Sequence, residues 1–148
     1  MKTKLQIPRS PYDQVHGLVY FGRMLDKIRL HAAGKLPEAY IANLGIKFDE
    51  RCLHFLNVDY EALKKVVISG ASDDEAWKWC VKNGTPHTEE EIMTWNQFML
   101  KRGWRDDMNE TLQRRLKEGG WEDRSDIQTL FDYIDLDEGR EKERSQNF

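Results

Sequence analysis

Four charged residues lie close together between positions 23 and 29 and could bind an anion. Arg23 and Asp26 are three positions apart, and Arg23 and Lys27 are four apart, so a helix places all three on one face. Arg29 falls at the margin of the apolar stripe of the same helix. The segment predicts either a site for an anion or an acidic partner, or a solvated face. In the second case an Arg23–Asp26 ion pair would contribute at most ~1 kcal/mol.

Two apolar side chains mark candidate interaction surfaces. Leu30 falls on the same helix face as the cations, which leaves packing against a partner or another helix as a third possibility. Trp79 lies about 200° around its helix from Trp77, which belongs to an apolar stripe. Trp79 is therefore either buried between two layers or exposed at an interface, for example that of a homodimer.

Asn96 is a further candidate for ligand binding. The helix predicted over 89–102 carries apolar side chains over an arc of roughly 220°, which predicts a central position in the core. Asn96 falls inside this arc, and a buried amide without partners costs ~1–3 kcal/mol. Its amide either ties down a loop or orients a bound ligand. Trp104 and Trp121 each lie beside a glycine and are expected to fold back on helix ends.

The histidines and cysteines do not predict a metal site or a nucleophile. Cys52-x-His54 and Cys80 followed by His87 match no standard zinc spacing, and in a helix Cys52 and His54 point apart. Cys80 lies on an apolar stripe, where a thiol is usually inert. No phosphate-binding loop, dinucleotide fingerprint or nucleophile elbow occurs. We therefore expect neither a metal nor a cofactor.

Hydrophobic residues recur every three to four positions, which predicts an all-α fold. We expect a compact irregular bundle of about seven helices in a single domain over residues 1–137. Residues 1–16 are an extended lead-in because prolines interrupt them, and 138–148 are a mobile polar tail. Predicted helices start at Gly17, Asp49, Asp59, Ser72 and Thr88, and then at Asp106 or Asp107 and at Ser125. Gly34 is expected at the C-terminal cap of the first helix.

Composition and charge exclude several classes of protein. The 148 residues fit one domain, and the net charge of −3 argues against a nucleic-acid-binding protein. No apolar run approaches the ~18 residues of a membrane span, and no apolar stretch follows the basic start as in a secretory signal. Two cysteines are too few for a secreted disulfide scaffold, which favours the cytoplasm.

The sequence also resembles a bacterial family that is known only as a domain of unknown function. The resemblance is carried by the following positions: Pro11, Gly17-Leu18, Arg23-x-x-Asp26-Lys27-x-Arg29, Gly34, Tyr40, Leu53, Phe55-Leu56 and, more weakly, Trp79 and Trp95-Asn96. It implies an all-helical cytoplasmic protein and supplies no activity, cofactor or catalytic residue. It also adds weight to Arg23, Asp26, Lys27 and Arg29 as a unit.

Two functions of different classes fit these observations. The first is a non-catalytic, soluble helical interaction or binding module, with a homodimer as one expected form. The alternative is a small-molecule enzyme or anion-binding protein that uses Arg23, Asp26 and Lys27, with His31 or Asn96. The second function requires these polar groups to converge on a concave site.

Overall fold

The computed structural model describes residues 4–140, in which eight helices accompany one small sheet. The predicted all-α class is confirmed. The chain divides into two compact units, one ending at Ile92 and one beginning at Met93. No helix within residues 4–140 combines the length and apolar character needed to cross a bilayer. The elements are β1 (Gln14–Val15), β2 (Leu18–Val19), α1 (Phe21–Ala32), α2 (Glu38–Ile41), α3 (Phe48–Leu56), α4 (Tyr60–Ile68), α5 (Asp73–Asn83), α6 (Glu89–Lys101), α7 (Asn109–Glu118) and α8 (Leu130–Asp137).

The first long helix begins later than predicted because a hairpin precedes it. β1 and β2 pair antiparallel, with Val15 opposite Leu18. His16 and Gly17 connect them with φ values of 50° and 81°, and a type I′ turn requires positive φ at both positions. Leu18 also fits the apolar spacing of α1, and this spacing alone extends the predicted helix back to residue 17.

Three predicted helix starts are confirmed by their hydrogen bonds. The Asp59 carboxylate accepts from the Ala62 amide at the start of α4. Ser72 and Thr88 each form a capping box with the glutamate three residues later. Gly34 follows α1 with φ 71°, as a left-handed C-terminal cap requires.

Three other predicted starts are wrong. Asp49 is not a cap but lies within α3, fully buried, because its carboxylate binds groups from outside the helix. The last helix begins at Leu130, well after Ser125, since the Thr129 hydroxyl accepts from the Asp132 amide. Neither Asp106 nor Asp107 begins α7, which starts at Asn109, and the Asp106 carboxylate instead accepts from the Met108 amide in a turn just before the helix.

In the first unit, α1 packs against α4 and β1, and α5 packs against the same two elements. The core side chains are Phe21, Met24, Leu25 and Ile28 of α1, Cys52 and Leu56 of α3, Leu63 of α4 and Cys80 of α5. Burial raises the pKa of the Cys52 thiol well above its usual value and that of Cys80 to about 12. Trp77 is half-buried between the rings of Phe21 and His16.

In the second unit, α7 packs against α8, and the buried side chains include Met99, Leu112, Leu116, Ile127, Leu130 and Phe131. The predicted central position of α6 is wrong, because Met93 and Phe98 are 58% and 43% exposed. Trp104 is 42% exposed and does not fold back on its helix end as expected. Trp121 does fold back, with its indole against Gly119.

The predicted tail is described only in part. Residues 141–148 lie outside the described residues. Glu138 to Arg140 follow α8 directly, and the Arg140 side chain donates to the Asp135 carboxylate over 3.0 Å. This hydrogen bond fixes Arg140 against the last turn of α8.

Candidate functional site

Side chains of α1 form two charged clusters with other elements of the first unit. The first, which we call the arginine network, joins Arg9, Asp26, Arg29 and Asp73. The second, which we call the buried pair, joins Lys27 to Asp49. Both clusters include residues of the predicted Arg23–Arg29 segment, and both recruit partners that are distant in sequence.

The arginine network alternates two cations with two carboxylates. Arg9 donates from Nε and Nη2 to Asp26 over 3.0 and 2.9 Å, and from Nη1 and Nη2 to Asp73 over 2.8 and 3.1 Å. Arg29 Nη1 donates to Asp73 over 2.8 Å and lies 3.5 Å from Asp26. Such two-pronged arginine–carboxylate pairs fix orientation as well as charge. The network therefore holds the lead-in, α1 and α5 together.

The local backbone positions the side chains of the arginine network. Asp73 is the first residue of α5, immediately after the capping residue Ser72, where the helix dipole favours an acid. The Arg9 amide also donates to Asp26, which fixes the lead-in against α1. A Cβ at Gly22 would lie 2.6 Å from Arg9 Nη1, so the absent side chain there lets the guanidinium rest on the helix.

Hydrogen bonding sets the charge state of the network. The Arg9 guanidinium, followed by that of Arg29, lowers the pKa of the Asp73 carboxyl below its ordinary value despite partial burial. Hydrogen bonds to Asp26 and then to Asp73 raise the pKa of Arg9. All four side chains are between 23% and 34% exposed, so water screens part of this interaction.

The buried pair lies deeper. Lys27 Nζ donates to Asp49 Oδ1 over 3.0 Å, and the two side chains are 6% and 0% exposed. The Tyr20 hydroxyl donates to the same oxygen over 2.7 Å, and the Gly45 amide donates to Oδ2 over 2.9 Å. These three hydrogen bonds to the buried Asp49 carboxylate offset much of the free energy that it loses when it is removed from water.

The buried pair also affects nearby phenols. Burial, reinforced by the Asp49 charge, raises the pKa of Tyr20 well above its usual value. The same two causes raise the pKa of Tyr60 to about 12. Both phenols therefore stay protonated at neutral pH and are hydrogen-bond donors rather than bases.

Arg23 is buried, which excludes the solvated face, one of the alternatives that the sequence left open for this segment. Only 5% of Arg23 and 5% of Lys27 are exposed. Arg23 Nη1 donates to the Arg9 carbonyl over 3.0 Å, and its guanidinium lies 5.9 Å from the Tyr40 ring centre. The face opposite the apolar stripe of α1 is covered by the lead-in and by α3, because these elements supply polar partners.

The other predicted site residues lie elsewhere. Asn96 belongs to the second unit and is buried on the same side of α6 as Met99. Leu30 and Trp79 are both half-buried in the first unit. Arg23, Asp26, Lys27 and Arg29 therefore all lie on α1 of the first unit, with Lys27 in a cluster separate from Asp26 and Arg29. Asn96 is part of the other unit.

Sequence reasoning missed the partners Arg9, Tyr20, Asp49 and Asp73. Asp49 is itself a predicted helix start and Asp73 directly follows the predicted start Ser72, and an acid at the start of a helix is explained without a distant partner. A signal did exist at Gly22, because a glycine within a predicted helix often marks close approach by another group. Here that group is the Arg9 side chain.

The chemistry available to these clusters is limited. Asp73 is held ionised by two guanidinium groups, and the Cys52 and Tyr20 protons are retained by burial. Within the described part of the chain, no three His, Cys, Asp or Glu side chains group as metal ligands would. The clusters therefore hold elements together and offer no evident base or nucleophile.

Replacing Lys27 should destabilise the first unit strongly. Lys27→Met is expected to lower the free energy of unfolding by about 3–5 kcal/mol, because it leaves the Asp49 carboxylate buried without its cation. Lys82→Met removes an exposed lysine from α5 and should change stability by less than ~0.5 kcal/mol. Urea unfolding followed by tryptophan fluorescence measures both. Equal losses for the two variants would contradict the role of the pair.

Replacing Asp73 should change how stability depends on pH. Its pKa is lowered in the folded state, so its contribution is present above the ordinary value near 3.8 and is lost as pH falls through the folded value. Asp73→Asn should cost about 1 kcal/mol at neutral pH after screening, and its stability should converge with wild type in acid. Asp74→Asn, from the same helical turn, is the control and should cost less. A difference that persists unchanged in strong acid would contradict this assignment.

Comparison with known proteins places these clusters in a family context. The model of the family described as a domain of unknown function (DUF5069) matches residues 5–140, which include both clusters and all eight helices. No curated protein matches the chain. The match covers well over half of the sequence, and the chain therefore belongs to the DUF5069 family.

Proposed function

We propose that the protein is a non-catalytic helical interaction module. The observation that carries this proposal is that the charged groups of α1 are bound by side chains from other elements of the fold. Asp26 and Asp73 each accept from Arg9, and Asp49 accepts from Lys27. An enzyme needs polar groups that converge on its substrate, and these groups are instead engaged in holding the fold.

Exposed apolar and aromatic side chains support the same proposal. Met93, Phe98 and Trp104 follow one another along α6 and its C-terminal end, and each is more than 40% exposed. The Arg102 guanidinium lies 5.5 Å from the Phe98 ring centre, and that of Arg105 lies 5.0 Å from Trp104. Aromatic and arginine side chains are enriched where protein interfaces concentrate their binding energy.

In-cell crosslinking tests this function. A photoreactive phenylalanine analogue in place of Phe98 should give covalent adducts with protein in the source organism. The same analogue in place of the exposed Glu118 at the end of α7 is the control and should give none. Mass spectrometry of the adduct identifies the partner. Failure to crosslink at Phe98, and likewise at Met93 and Trp104, would overturn the interaction function.

Anion binding at α1 is the second candidate. Three arginines lie close together at α1, since Arg23 donates to the Arg9 carbonyl and Arg9 and Arg29 both donate to Asp73. This concentration of positive charge favours a small anion over a cation. Calorimetric titration with inorganic phosphate separates the candidates. The interaction function expects no heat, whereas saturable binding that Arg29→Ala abolishes would favour the anion-binding function.

The proposed setting is the bacterial cytoplasm. Cys52 and Cys80 are both free and buried. Free thiols are typical of proteins in a reducing compartment, where a buried cysteine behaves as a small hydrophobic residue.

A further inference from the structure

The C-terminal end of α3 is capped by residues 84–88, which we call the α5–α6 connection. The last four carbonyls of a helix have no partner within it. Amides just after α3 bind the first two of these carbonyls. The Thr85 amide donates to the Leu56 carbonyl over 2.9 Å, and His87 Nε2 donates to the Phe55 carbonyl over 2.5 Å. The α5–α6 connection therefore supplies both of the remaining donors.

The α5–α6 connection lies directly against α3. A Cβ at Gly84 would lie 2.1 Å from the Leu56 carbonyl oxygen, so the absent side chain permits this close approach. The His87 ring stacks on the Phe55 ring, with ring centres 3.8 Å apart and planes 11° apart. The imidazole is thus held by a hydrogen bond to α3 and by a ring contact with α3.

The other ring nitrogen of His87 is buried without a hydrogen bond. Because a carbonyl only accepts, Nε2 carries the proton that binds the Phe55 oxygen. A neutral imidazole has a single N–H, so its Nδ1 is then an acceptor. Nδ1 lies 3.5 Å from Glu91 Oε1, which is also an acceptor. Within residues 4–140, Nδ1 is the only buried side-chain nitrogen or oxygen atom that lacks a hydrogen-bond partner.

A proton on Nδ1 removes this mismatch. An imidazolium donates from both nitrogens, and an oxygen faces each nitrogen of His87. The pairing with the Glu91 carboxylate then becomes charge-assisted. The C-terminal end of α3 also carries partial negative charge, and an aromatic face such as that of Phe55 attracts a cation. These three interactions favour the charged ring and oppose the cost of burying it.

Glu91 supplies the negative charge that the ring faces. In the part of the chain that the structure describes, its carboxylate is the one charged side chain in contact with the His87 ring. The Thr88 amide and, to a smaller extent, the His87 ring lower the pKa of the Glu91 carboxyl below its ordinary value. His54 belongs to the same last turn of α3 but is exposed. The His87 ring therefore lies between the negative end of α3 and an ionised acid of α6.

We propose that His87 is a pH-sensitive clamp that fastens the α5–α6 connection to α3 when its ring is protonated. Imidazole is the side chain that ordinarily changes charge between about pH 5 and 8. The clamp contributes stability when the ring is charged, and this contribution is lost as pH rises and the ring becomes neutral. The neutral ring leaves Nδ1 unsatisfied, so the connection then opens more often. Met93, Phe98 and Trp104 take no part, and the inference is independent of the proposed interaction function.

Hydrogen exchange of the Thr85 amide in the full chain tests the clamp, because this amide binds α3 beside the ring. Its protection, corrected for the intrinsic rate at each pH, should be about fivefold higher at about pH 5.5 than at about pH 8. His87→Gln cannot be protonated and should abolish this rise. His54→Gln replaces the exposed histidine of the same helical turn and should preserve it. Equal behaviour of the two variants would overturn the clamp.

Glu91→Gln separates the charge from the fold. Glutamine also completes a capping box, so the start of α6 is retained while the carboxylate is removed. The rise in Thr85 protection should then be smaller than in the wild type, because the end of α3 alone favours the charged ring. A rise as large as that of the wild type would contradict the pairing with Glu91 and overturn the clamp.

Nitrogen NMR of the wild-type ring tests the geometry without any substitution. At alkaline pH the single imidazole proton of His87 should be on Nε2, because the Phe55 carbonyl accepts it. In acid both nitrogens should be protonated while the hydrogen bond to Phe55 persists. A proton on Nδ1 in the neutral ring would show that Nδ1 is already a donor, and it would overturn the clamp.

Discussion

Lys27 and Asp49 form an ion pair almost entirely out of contact with water, and the surrounding backbone is arranged so that this pair is tolerated. Moving two charges out of water costs several kcal/mol per ion, and only good geometry with additional donors offsets this cost. Tyr20 and Gly45 supply those donors. Tyr20 has φ 70° at the start of α1, and Lys47 has φ 58° just before α3. These rarely populated conformations adjoin the two helices that the pair joins, and the tertiary structure must hold them in place.

The arginine network performs a related task nearer the surface. Arg9 brings the lead-in to α1, and Asp73 brings the start of α5 to the same place. The glycine at position 22 leaves room for the Arg9 guanidinium. Together the two clusters explain why α1 carries charge on the side opposite its apolar stripe. These charges complete the fold, and under the proposed interaction function a partner would bind side chains that the core does not use.

The sequence predicted what depends on nearby residues. The capping boxes at Ser72 and Thr88 and the left-handed Gly34 are local signals, and all three are confirmed. Periodicity also placed Lys27 correctly opposite the apolar stripe, but it could not reveal that Asp49 would cover it. Partners from distant segments are set by tertiary packing, which leaves no trace in local spacing. The same limit explains why Phe98 is exposed although its helix was predicted to be central in the core. A wide apolar arc does not show which of its side chains face water.

Arg23 and Lys27 belong to the interior of the fold, and the other inferences about α1 depend on this burial. Acylation of the native protein with an amine-reactive ester, followed by peptide mass spectrometry, tests it most directly. Lys27 should react no faster than the protein unfolds, whereas the exposed Lys82 should react at the rate of a free lysine. Reaction of Lys27 as fast as that of Lys82 in the folded protein would show an accessible ammonium group and contradict the account.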